Sequence, residues 1–405
     1  MLHLPKWYPH RYDDQDGDFV ARHVAAIAAT DSPAQSLQSA VVFAAVARGP
    51  LRRLIESEAD LSGPVPTWRY YYRACPTGLA PLDKLLKLGL WLLCMGRGWR
   101  AVRRHWQGRQ PDIVHVHVLL RTGVWALWLR WRHRVPYLVT EHWTLYLPGR
   151  ARAIGPLRRW ATRLVVGRAA GLHTVSVSLR EAMRALGIAN RQSAVIANVV
   201  DTALFRLPDT PRAPHRLLVV SAFHDEVKNI SGILRVVARL RAAGRPVELC
   251  LAGYGPDEAL LRQYSAELGL LTDGTVRFMG KLPHAAVARQ MQAATALVSF
   301  SRAETFGCVL LEARATGCPV VGPATGGVPE LFHPLGTFGV LVRPDDEVAL
   351  YQALDELLAG RLAYAPARLR QDAEWRCGYE PVGRQFRELY ERVLFGPYPG
   401  GGETK

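Results

Sequence analysis

The sequence has few cysteines and no long apolar run, and these deficits exclude several classes of protein. Its six cysteines are scattered along 405 residues without a C-x-x-C pair, so neither a disulfide framework nor a cysteine-ligated zinc site is predicted. The apolar run over residues 88–95 is interrupted by Gly89 and is too short to span a bilayer. The opening MLHLPKWYPHRY has no apolar segment of the length found in secretory signals. We therefore expect a cytoplasmic protein that is not integral to a membrane.

Acidic residues are scarce in the first half of the chain. Residues 1–200 contain 28 Lys and Arg against 12 Asp and Glu, whereas residues 201–405 contain 23 of each, so the net charge of +16 lies entirely in the first half. A basic half of this kind indicates an anionic partner, which could be a phosphorylated substrate, a nucleic acid or a membrane surface. Charge alone does not choose among these three partners.

The basic residues concentrate, together with tryptophan, between Lys84 and Arg134. This segment has eleven Lys and Arg, one acidic residue, Asp112, and six of the eleven tryptophans. Its run LLKLGLWLLCMGRGWRAVRRHW begins apolar and ends basic, which is typical of a helix at a lipid interface. A core helix whose arginines face water fits the same pattern. We expect peripheral, salt-sensitive association of the first domain with the anionic inner membrane.

Apolar segments of strand length alternate with segments of helix length in both halves. In the first half, PDIVHVHV (111–118), PYLVTEH (136–142) and GLHTVSVS (171–178) are predicted strands of a parallel sheet. A polar, proline-rich linker over residues 208–216 precedes a second series that begins with RLLVVSAF (216–223). The sequence therefore predicts an α/β protein of two Rossmann-like domains.

The second domain is predicted in more detail. Its further strands are expected at PVELCLAG, TVRFMG, ALVSFS, PVVG and GVLV, with helices near residues 229–244, 257–269 and 284–294 and a last helix over residues 379–393. The predicted division is a first domain over 1–205, a second over 206–378, a C-terminal helix over 379–396 and a disordered tail over 397–405.

Two glutamates flank an apolar stretch in ETFGCVLLEARATGCPVVG. The segment around Glu312 is predicted to be a helix that Glu304 precedes, which puts the two carboxylates about 12 Å apart. The two carboxylates of a glycosidase are closer, at about 5 to 9.5 Å. We therefore expect the two glutamates to contact different parts of one extended ligand. The amides at the helix start, those of Phe306, Gly307 and Cys308, can bind hydroxyl or phosphate oxygens.

Two further patterns resemble cofactor sites without predicting one. His115 and His117 alternate on a predicted strand, which could suggest a metal site. No third ligand is apparent beside them in the sequence, so no metal site is predicted. Gly253 and Gly255 follow a predicted strand, but a G-x-G alone is not a dinucleotide fingerprint. We expect these two glycines to shape the turn after the strand.

Six elements, in order, resemble the family 4 glycosyltransferases of GT-B fold. From the N-terminus they are WYPHRYDDQDGDFVARHV, TEHW, VIANVVDTALF, KN, LAGYGPDEALL and the E-x7-E segment with its G-x-P-V-V and G-G-x-x-E continuation. Together they cover nearly the whole chain. The resemblance implies two Rossmann-like domains that face a central cleft, with the last helix returning to the first domain. It implies a retaining enzyme that transfers a sugar from a UDP- or GDP-linked donor to a carbohydrate or lipid-linked acceptor in bacterial surface polysaccharide biosynthesis. It implies neither a cofactor nor a metal.

The resemblance also implies roles for residues of the donor site. Glu304, with the amides of Phe306 and Gly307, would bind the hydroxyls of the donor sugar, and Glu312 would bind the ribose hydroxyls. Lys228 would neutralise the diphosphate leaving group, a task suited to a compact ammonium.

Further residues receive roles in the same way. Gly17 would form a tight loop under the diphosphate and the acceptor, where a β-carbon would collide with the ligand. His142 would lie near the donor sugar or the acceptor as a hydrogen-bonding group of the catalytic site. Asn198, Gly253 and Gly255 would border the donor.

The chain departs from the family pattern at one phosphate-binding position. Ser221, Ala222 and Phe223 stand where many relatives carry Gly-Arg-Leu. A second cation for the phosphates is therefore missing, and His224 or an arginine elsewhere would have to compensate. The sequence leaves two alternative functions open. One is a nucleotide-sugar epimerase on the same fold, and the other is a non-enzymatic protein that binds nucleic acid through the basic first half. The leading interpretation expects no nucleic-acid partner.

Overall fold

The computed structural model describes residues 1–30, 38–74, 77–119 and 121–396. These residues form two compact units. The predicted tail over 397–405 lies outside the described residues. The first unit comprises Met1–Val175, Arg180–Ile196 and the segment from Tyr379, and the second comprises Ser176–Leu179 and Ala197–Gly378. Each unit contains a mostly parallel sheet with helices packed against it, so the predicted α/β class is confirmed.

The first unit is built on eight described strands. The strands are β1 (Leu2–Pro5), β2 (Ala40–Val46), β3 (Ile55–Asp60), β4 (Thr67–Tyr72), β5 (Val114–His117), β6 (Tyr137–Glu141), β7 (Gly171–Thr174) and β8 (Ser193–Val195). The helices of this part of the chain are α1 (Asp18–Ala29), α2 (Ala80–His105), α3 (Arg121–His133), α4 (Pro156–Arg168) and α5 (Val177–Ala185). The order in the sheet is β3-β4-β2-β1-β5-β6-β7-β8. The pairs are parallel except for β3 with β4, so an antiparallel edge strand departs from the predicted all-parallel sheet.

The three strands predicted in the first half are confirmed, and each is shorter than its predicted range. The predicted strand over 171–178 ends at Thr174, because helix α5 begins at Val177. Strands β1, β5, β6 and β7 are buried along their whole length, which is typical of parallel strands covered on both faces. The polar residues in these strands are therefore buried as well, among them His3, His115, His117 and His173.

The second unit follows the predicted series of elements closely. Its strands are β9 (Arg216–Val220), β10 (Glu248–Ala252), β11 (Val276–Gly280), β12 (Ala296–Val298), β13 (Val320–Pro323) and β14 (Val340–Val342). The helices are α6 (Asp225–Lys228), α7 (Ile230–Ala242), α8 (Glu258–Glu267), α9 (His284–Ala293), α10 (Cys308–Ala315), α11 (Glu347–Leu358) and α12 (Pro366–Cys377), and α13 (Tyr379–Phe395) follows. The sheet order is β11-β10-β9-β12-β13-β14, with parallel pairs throughout.

Residues 197–205, which the sequence analysis assigns to the first domain, pack with the second unit. The backbone N–H of Val200 donates to the carbonyl of Cys377 over 2.8 Å. Arg370 Nη1 donates to the carbonyl of Phe205 over 3.1 Å. The chain therefore enters the second unit before the proline-rich linker, because hydrogen bonds to α12 hold this segment in place.

Helix α13 packs against α1 in the first unit. A β-carbon at Gly383 would lie 2.3 Å from the carbonyl oxygen of Ala26, so the two backbones approach at a position that only glycine allows. Phe386 and Tyr390 of α13 are buried. Within the described ranges, none of the helices combines the length and the apolar character that crossing a bilayer requires.

Candidate functional site

The strand order of the second unit marks one edge of its sheet as the place for a ligand. β9 and β12 are neighbours at the centre, and the chain winds from β9 towards one side and from β12 towards the other. Ligands of open parallel sheets bind at such a switch point, beyond the carboxyl ends of the strands. The segments that follow these two strands contain Lys228 and Glu304, so topology places both residues at that edge.

Lys228 and Glu304 form an ion pair at this edge. Lys228 Nζ donates to Glu304 Oε1, and Ser301 Oγ donates to the same oxygen over 3.0 Å. The two side chains are 24% and 15% exposed, so the pair is largely desolvated yet reachable from solvent. A cation held in this way can interact strongly with a second anion, because the surroundings screen it less than water does.

Arg302 positions Lys228 and is a residue that the sequence analysis missed. Its guanidinium donates to the carbonyls of Asp225 and Glu226 and to Oδ1 of Asn229, over 3.0 to 3.1 Å. It also pairs with Asp345. These bonds hold α6 and the left-handed Asn229 that follows it, so Arg302 fixes the end of the helix that carries Lys228. The signal available in the sequence was the position of Arg302 in the loop that follows β12.

The start of α10 presents the predicted backbone donors. The helix begins at Cys308, slightly later than predicted, because Gly307 adopts φ 91° in the left-handed region. The amides of Phe306 and Gly307 donate no hydrogen bond within the described part of the chain, and no side chain caps the helix. Glu304 lies in the loop before the helix and Glu312 is buried within it, as the sequence predicts. Free amides at a helix start attract hydroxyl or phosphate oxygens.

Gly326 explains the G-G-x-x-E element as a feature of chain packing. Its φ is 55°, and a β-carbon there would lie 1.7 Å from the carbonyl oxygen of Glu304. Gly327 N–H also donates to that oxygen over 3.3 Å. The paired glycines therefore let a second loop close against the Glu304 backbone and hold the carboxylate in position.

The other residues predicted to border the donor contact the chain itself. A β-carbon at Gly253 would lie 1.8 Å from the carbonyl oxygen of Ser221, and one at Gly255 would lie 2.4 Å from that of Phe223. Both glycines thus bring the turn after β10 against the segment after β9. Asn198 Nδ2 donates to Cys308 Sγ over 3.1 Å, which ties residue 198 to the start of α10.

In the first unit, packing of the chain against itself explains why residue 17 is a glycine. The structure shows that a β-carbon there would collide with the chain itself. The φ of Gly17 is 65°, and the β-carbon would lie 2.3 Å from the carbonyl carbon of Trp7. Glycine is required because this loop packs on the backbone that follows β1, and α1 begins at the next residue.

His142 follows β6 and is placed by a carboxylate that the sequence analysis did not single out. Glu141 is fully buried, and its side chain accepts the N–H groups of His142 over 2.9 Å, Trp143 over 3.0 Å and Leu119 over 3.2 Å. Burial raises the pKa of this carboxyl despite these bonds. Glu141 therefore shapes the turn that carries His142, and its position at a strand end was the available signal.

Histidines from distant parts of the chain form a buried cluster in the first unit. His3 lies beside His115 and His117, with its Nδ1 3.1 Å from His117 Nε2. His3 is a third imidazole that was not apparent in the sequence, because β1 pairs with β5 across more than a hundred residues. Ring nitrogens of the three lie within 4.8 Å of one another, a spacing that could hold a metal ion.

Hydrogen bonds account for His115 without a metal. His173 Nε2 donates to the carbonyl of Ile196 over 2.8 Å, so its Nδ1 accepts from Thr140 in the neutral ring, over 2.9 Å. Thr140 then accepts from His115 Nε2 over 2.6 Å, and His115 Nδ1 accepts from Tyr390 over 2.7 Å. Both ring nitrogens of His115 are used, and we interpret the cluster as a chain of neutral hydrogen-bonded rings.

Comparison with known proteins identifies the family. Residues 21–199 match the family described as glycosyl transferase 4-like domain, and residues 214–360 match glycosyl transferases group 1. The chain is 30% identical over 318 residues to the glycogen synthase of Mycobacterium tuberculosis, across 74% of this chain and 72% of that protein. It is 30% identical over 240 residues to the phosphatidyl-myo-inositol mannosyltransferase of Mycolicibacterium smegmatis, across 56% and 58%.

A solved structure agrees in fold. The Anabaena protein HepE, solved in complex with UDP and glucose, superposes with a TM-score of 0.72 at 17% identity, across 96% of this chain and 99% of that chain. The sequence matches define the protein as a glycosyltransferase. It belongs to family 4 of these enzymes and has the GT-B fold that the resemblance predicts.

Proposed function

We propose that the protein is a retaining glycosyltransferase that transfers a sugar from a UDP- or GDP-linked donor to a carbohydrate or lipid-linked acceptor, in bacterial surface polysaccharide assembly. The observation that carries this proposal is the Lys228–Glu304 ion pair beside the amides of Phe306 and Gly307, which donate no hydrogen bond to the residues that the structure describes. A cation, a carboxylate and two amide donors at a sheet switch point match the charges and hydroxyls of a nucleotide diphosphate sugar.

The proposed chemistry assigns each group a separate task. Lys228 stabilises the negative charge that grows on the diphosphate as the sugar leaves. Glu304 accepts hydrogen bonds from the sugar hydroxyls, and buried Glu312 accepts those of the ribose. The departing phosphate oxygen takes the proton of the acceptor hydroxyl, so the mechanism uses no enzymic nucleophile, no cofactor and no metal.

Two relatives support the choice of substrates. HepE is named in its complex with UDP and glucose, and the M. smegmatis relative is named for a lipid acceptor, phosphatidyl-myo-inositol. The first supports a nucleotide-linked donor for this chain, and the second supports a lipid-linked acceptor.

The anomeric configuration of the product tests the retaining mechanism. We expect the product to keep the configuration of the donor, because the leaving phosphate holds the acceptor on the face that the nucleotide vacates. Proton NMR of the first turnover products distinguishes the two anomers. Activity should be unchanged by excess EDTA, since no step uses a metal. An inverted product, or activity lost with EDTA and restored by a divalent ion, would refute this mechanism.

We also propose that the first unit associates with an anionic membrane surface. Helix α2 buries Trp91 and Trp99 in the unit but leaves Leu85 and Leu93 exposed. One face of the helix therefore packs in the core, and another face contacts solvent. Exposed arginines follow at its C-terminal end. Apolar side chains beside basic ones fit a lipid interface, where each basic residue contributes about 1 kcal/mol.

Liposome flotation measures this association. The protein should float with vesicles that contain phosphatidylglycerol, and not with neutral vesicles. About 0.5 M salt should release it, because the screening length then falls to roughly 4 Å. Reversing the charges of Arg100, Arg103 and Arg104 to glutamate should also release it.

A matched triple reversal in the second unit serves as the control. Arg239, Arg289 and Arg368 are exposed there, and their replacement by glutamate changes the net charge by the same amount. This control should keep most of the vesicle binding. Equal loss in both triple variants would show that net charge alone drives the association, and no flotation at low salt would contradict it.

A further inference from the structure

An apolar groove lies on the first unit between α2, α3 and α4. Its volume is about 860 Å³, within the range of ligand pockets. Its apolar walls include Leu85, Leu88 and Leu92 of α2 and Val124 and Trp128 of α3. The three leucines follow the i, i+3, i+7 spacing of one helix face, so the groove runs for roughly 10 Å along α2. Leu85 is 65% exposed and Val124 is 54% exposed, so apolar side chains in this groove lack cover.

The apolar groove continues into a polar chamber of about 440 Å³. The chamber is lined by Lys6, His10, Asp16 and Arg48 among others. Both spaces share Trp91, Leu119 and Arg121 in their walls. β1 and β5 are neighbours at the centre of the first sheet, and the chain reaches the chamber directly after each of them. The polar chamber therefore occupies the switch point of this sheet, where ligands bind.

Three cations meet where the groove joins the chamber: Lys6, Arg121 and Arg158. None of them forms an ion pair with a carboxylate among the residues that the structure describes. Nε and Nη2 of Arg158 are buried without a hydrogen-bond partner there. The pKa of Lys6 is lowered to about 8, mainly by burial; the carboxylates of Glu141 and Asp16 oppose this effect, and the positive charges of Arg158 and Arg121 add to it. Crowded cations with unused donors are stabilised by an anion.

We propose that the first unit binds its acceptor as a lipid phosphate or diphosphate, with one apolar chain in the groove and the phosphate held by Lys6, Arg121 and Arg158. This inference rests on the proposed glycosyltransferase function and deepens it, because it chooses the lipid-linked acceptor over a soluble carbohydrate. The sugar of the acceptor then lies in the polar chamber beside the loop that Gly17 forms.

The shape and the charges of the site favour a single lipid chain over a bilayer surface. A bilayer contacts a convex, outward face, whereas this groove is concave and lies between three helices. Of the cations in its wall, Arg121 is shared with the chamber and Arg158 lies close enough to affect Lys6, whereas Lys84 lies about two turns of α2 before the shared Trp91. No carboxylate is found in the groove wall among the described residues. An amphiphile with one anionic head and one chain matches this arrangement.

Farnesyl diphosphate is a soluble probe for the site. Binding can be followed by tryptophan fluorescence, because Trp91, Trp125 and Trp128 line the groove. Inorganic pyrophosphate supplies the head alone, and farnesol supplies the chain alone. We expect farnesyl diphosphate to bind at least about a hundredfold more tightly than either, since each buried methylene strengthens binding about fourfold.

Paired variants separate the groove from the surface around it. Val124→Glu places a carboxylate in the groove, and Leu93→Glu makes the same change at an equally exposed position of α2 outside it, 54% in both cases. Farnesyl diphosphate affinity should fall at least about tenfold in the first variant and stay within about twofold in the second. Arg121→Gln should weaken farnesyl diphosphate but not farnesol, with the exposed Arg132→Gln of the same helix as its control.

Several outcomes would overturn the proposal. Equal affinity for pyrophosphate and farnesyl diphosphate would show an anion site without a chain site. Equal losses in Val124→Glu and Leu93→Glu would show adsorption to the apolar surface, as expected for a membrane contact. Stabilisation by UDP or GDP is measured in the same variants and should not change. Nucleotide binding without farnesyl diphosphate binding would sink this inference alone, and the reverse would sink the proposed donor.

Discussion

Replacing Lys228 with alanine should lower kcat by about 10² to 10³ while the dissociation constant of the donor nucleotide changes little. Lys228 Nζ is held against Glu304 at the switch point of the second sheet, where the proposed leaving group develops its charge. An interaction that strengthens as charge develops lowers the barrier more than it improves binding. Steady-state kinetics and calorimetry with the nucleotide measure the two effects separately.

Glu312→Ala should affect nucleotide affinity more than kcat, the opposite of Lys228→Ala. The buried carboxylate is proposed to bind the ribose in the ground state and in the transition state alike, so its loss should weaken nucleotide binding about tenfold to a hundredfold with a smaller effect on kcat. Calorimetry that shows wild-type nucleotide affinity for this variant would contradict the assignment.

A surface ion pair of the same unit provides the control for both variants. Arg241 pairs with Asp273 over 2.6 Å at the surface, and Arg241→Ala breaks that pair. This change should leave kcat and nucleotide affinity unchanged, because exposed pairs contribute little. If Lys228→Ala instead loses nucleotide affinity at unchanged kcat, Lys228 binds the ground state and the proposed role in turnover is wrong.

The first unit should lose stability steeply as the pH falls below about 6.5. Burial lowers the pKa of His3 and of His173 to about 3, and it lowers the pKa of His115 and His117 well below the ordinary value. Between pH 6.5 and 3 the unfolded rings bind protons and the folded rings do not. The unfolded state thus gains protons as the pH falls, so stability is complete above pH 6.5 and declines through this window.

The expected loss is large compared with the stability of a typical domain. At pH 5, His3 and His173 each cost about 2 kcal/mol, or about 4 kcal/mol together, against a usual total of about 5 to 15 kcal/mol. His115 and His117 act in the same direction. Glu141 opposes them, because its raised pKa means that the folded state takes up a proton first, but it is one group against four.

Urea denaturation between pH 7.5 and 5, followed by the tryptophans of the first half, measures this dependence. Replacing His3 with leucine should reduce the slope of the unfolding free energy against pH by about one proton. His105→Asn changes an exposed ring of the same unit and should leave the slope unchanged. A stability that is flat over this pH range would show that the buried rings accept protons without cost.

The sequence by itself determined the class of fold and the local setting of the two glutamates. Alternation of apolar segments predicts every strand of the second unit, because each strand there carries its own local signal, whereas helices α6, α11 and α12 were not predicted. Glu304 before a helix and Glu312 within it also follow from local pattern. The resemblance named the family before any strand order was known. Strands β1 to β4 and β8 were not predicted, although β2 carries a continuous apolar run, AVVFAAV, whereas β3 is mostly polar.

Only the tertiary structure decided which distant residues meet. Lys6, Arg121 and Arg158 gather because β1 pairs with β5 and α4 packs beside α3, and His3 reaches His117 for the same reason. The tertiary structure also showed that Gly17 and Gly253 are required by neighbouring backbone. Strand pairing is a non-local interaction whose register depends on the whole sheet, so no window of sequence contains it. The candidate acceptor site could therefore be found only from the tertiary structure.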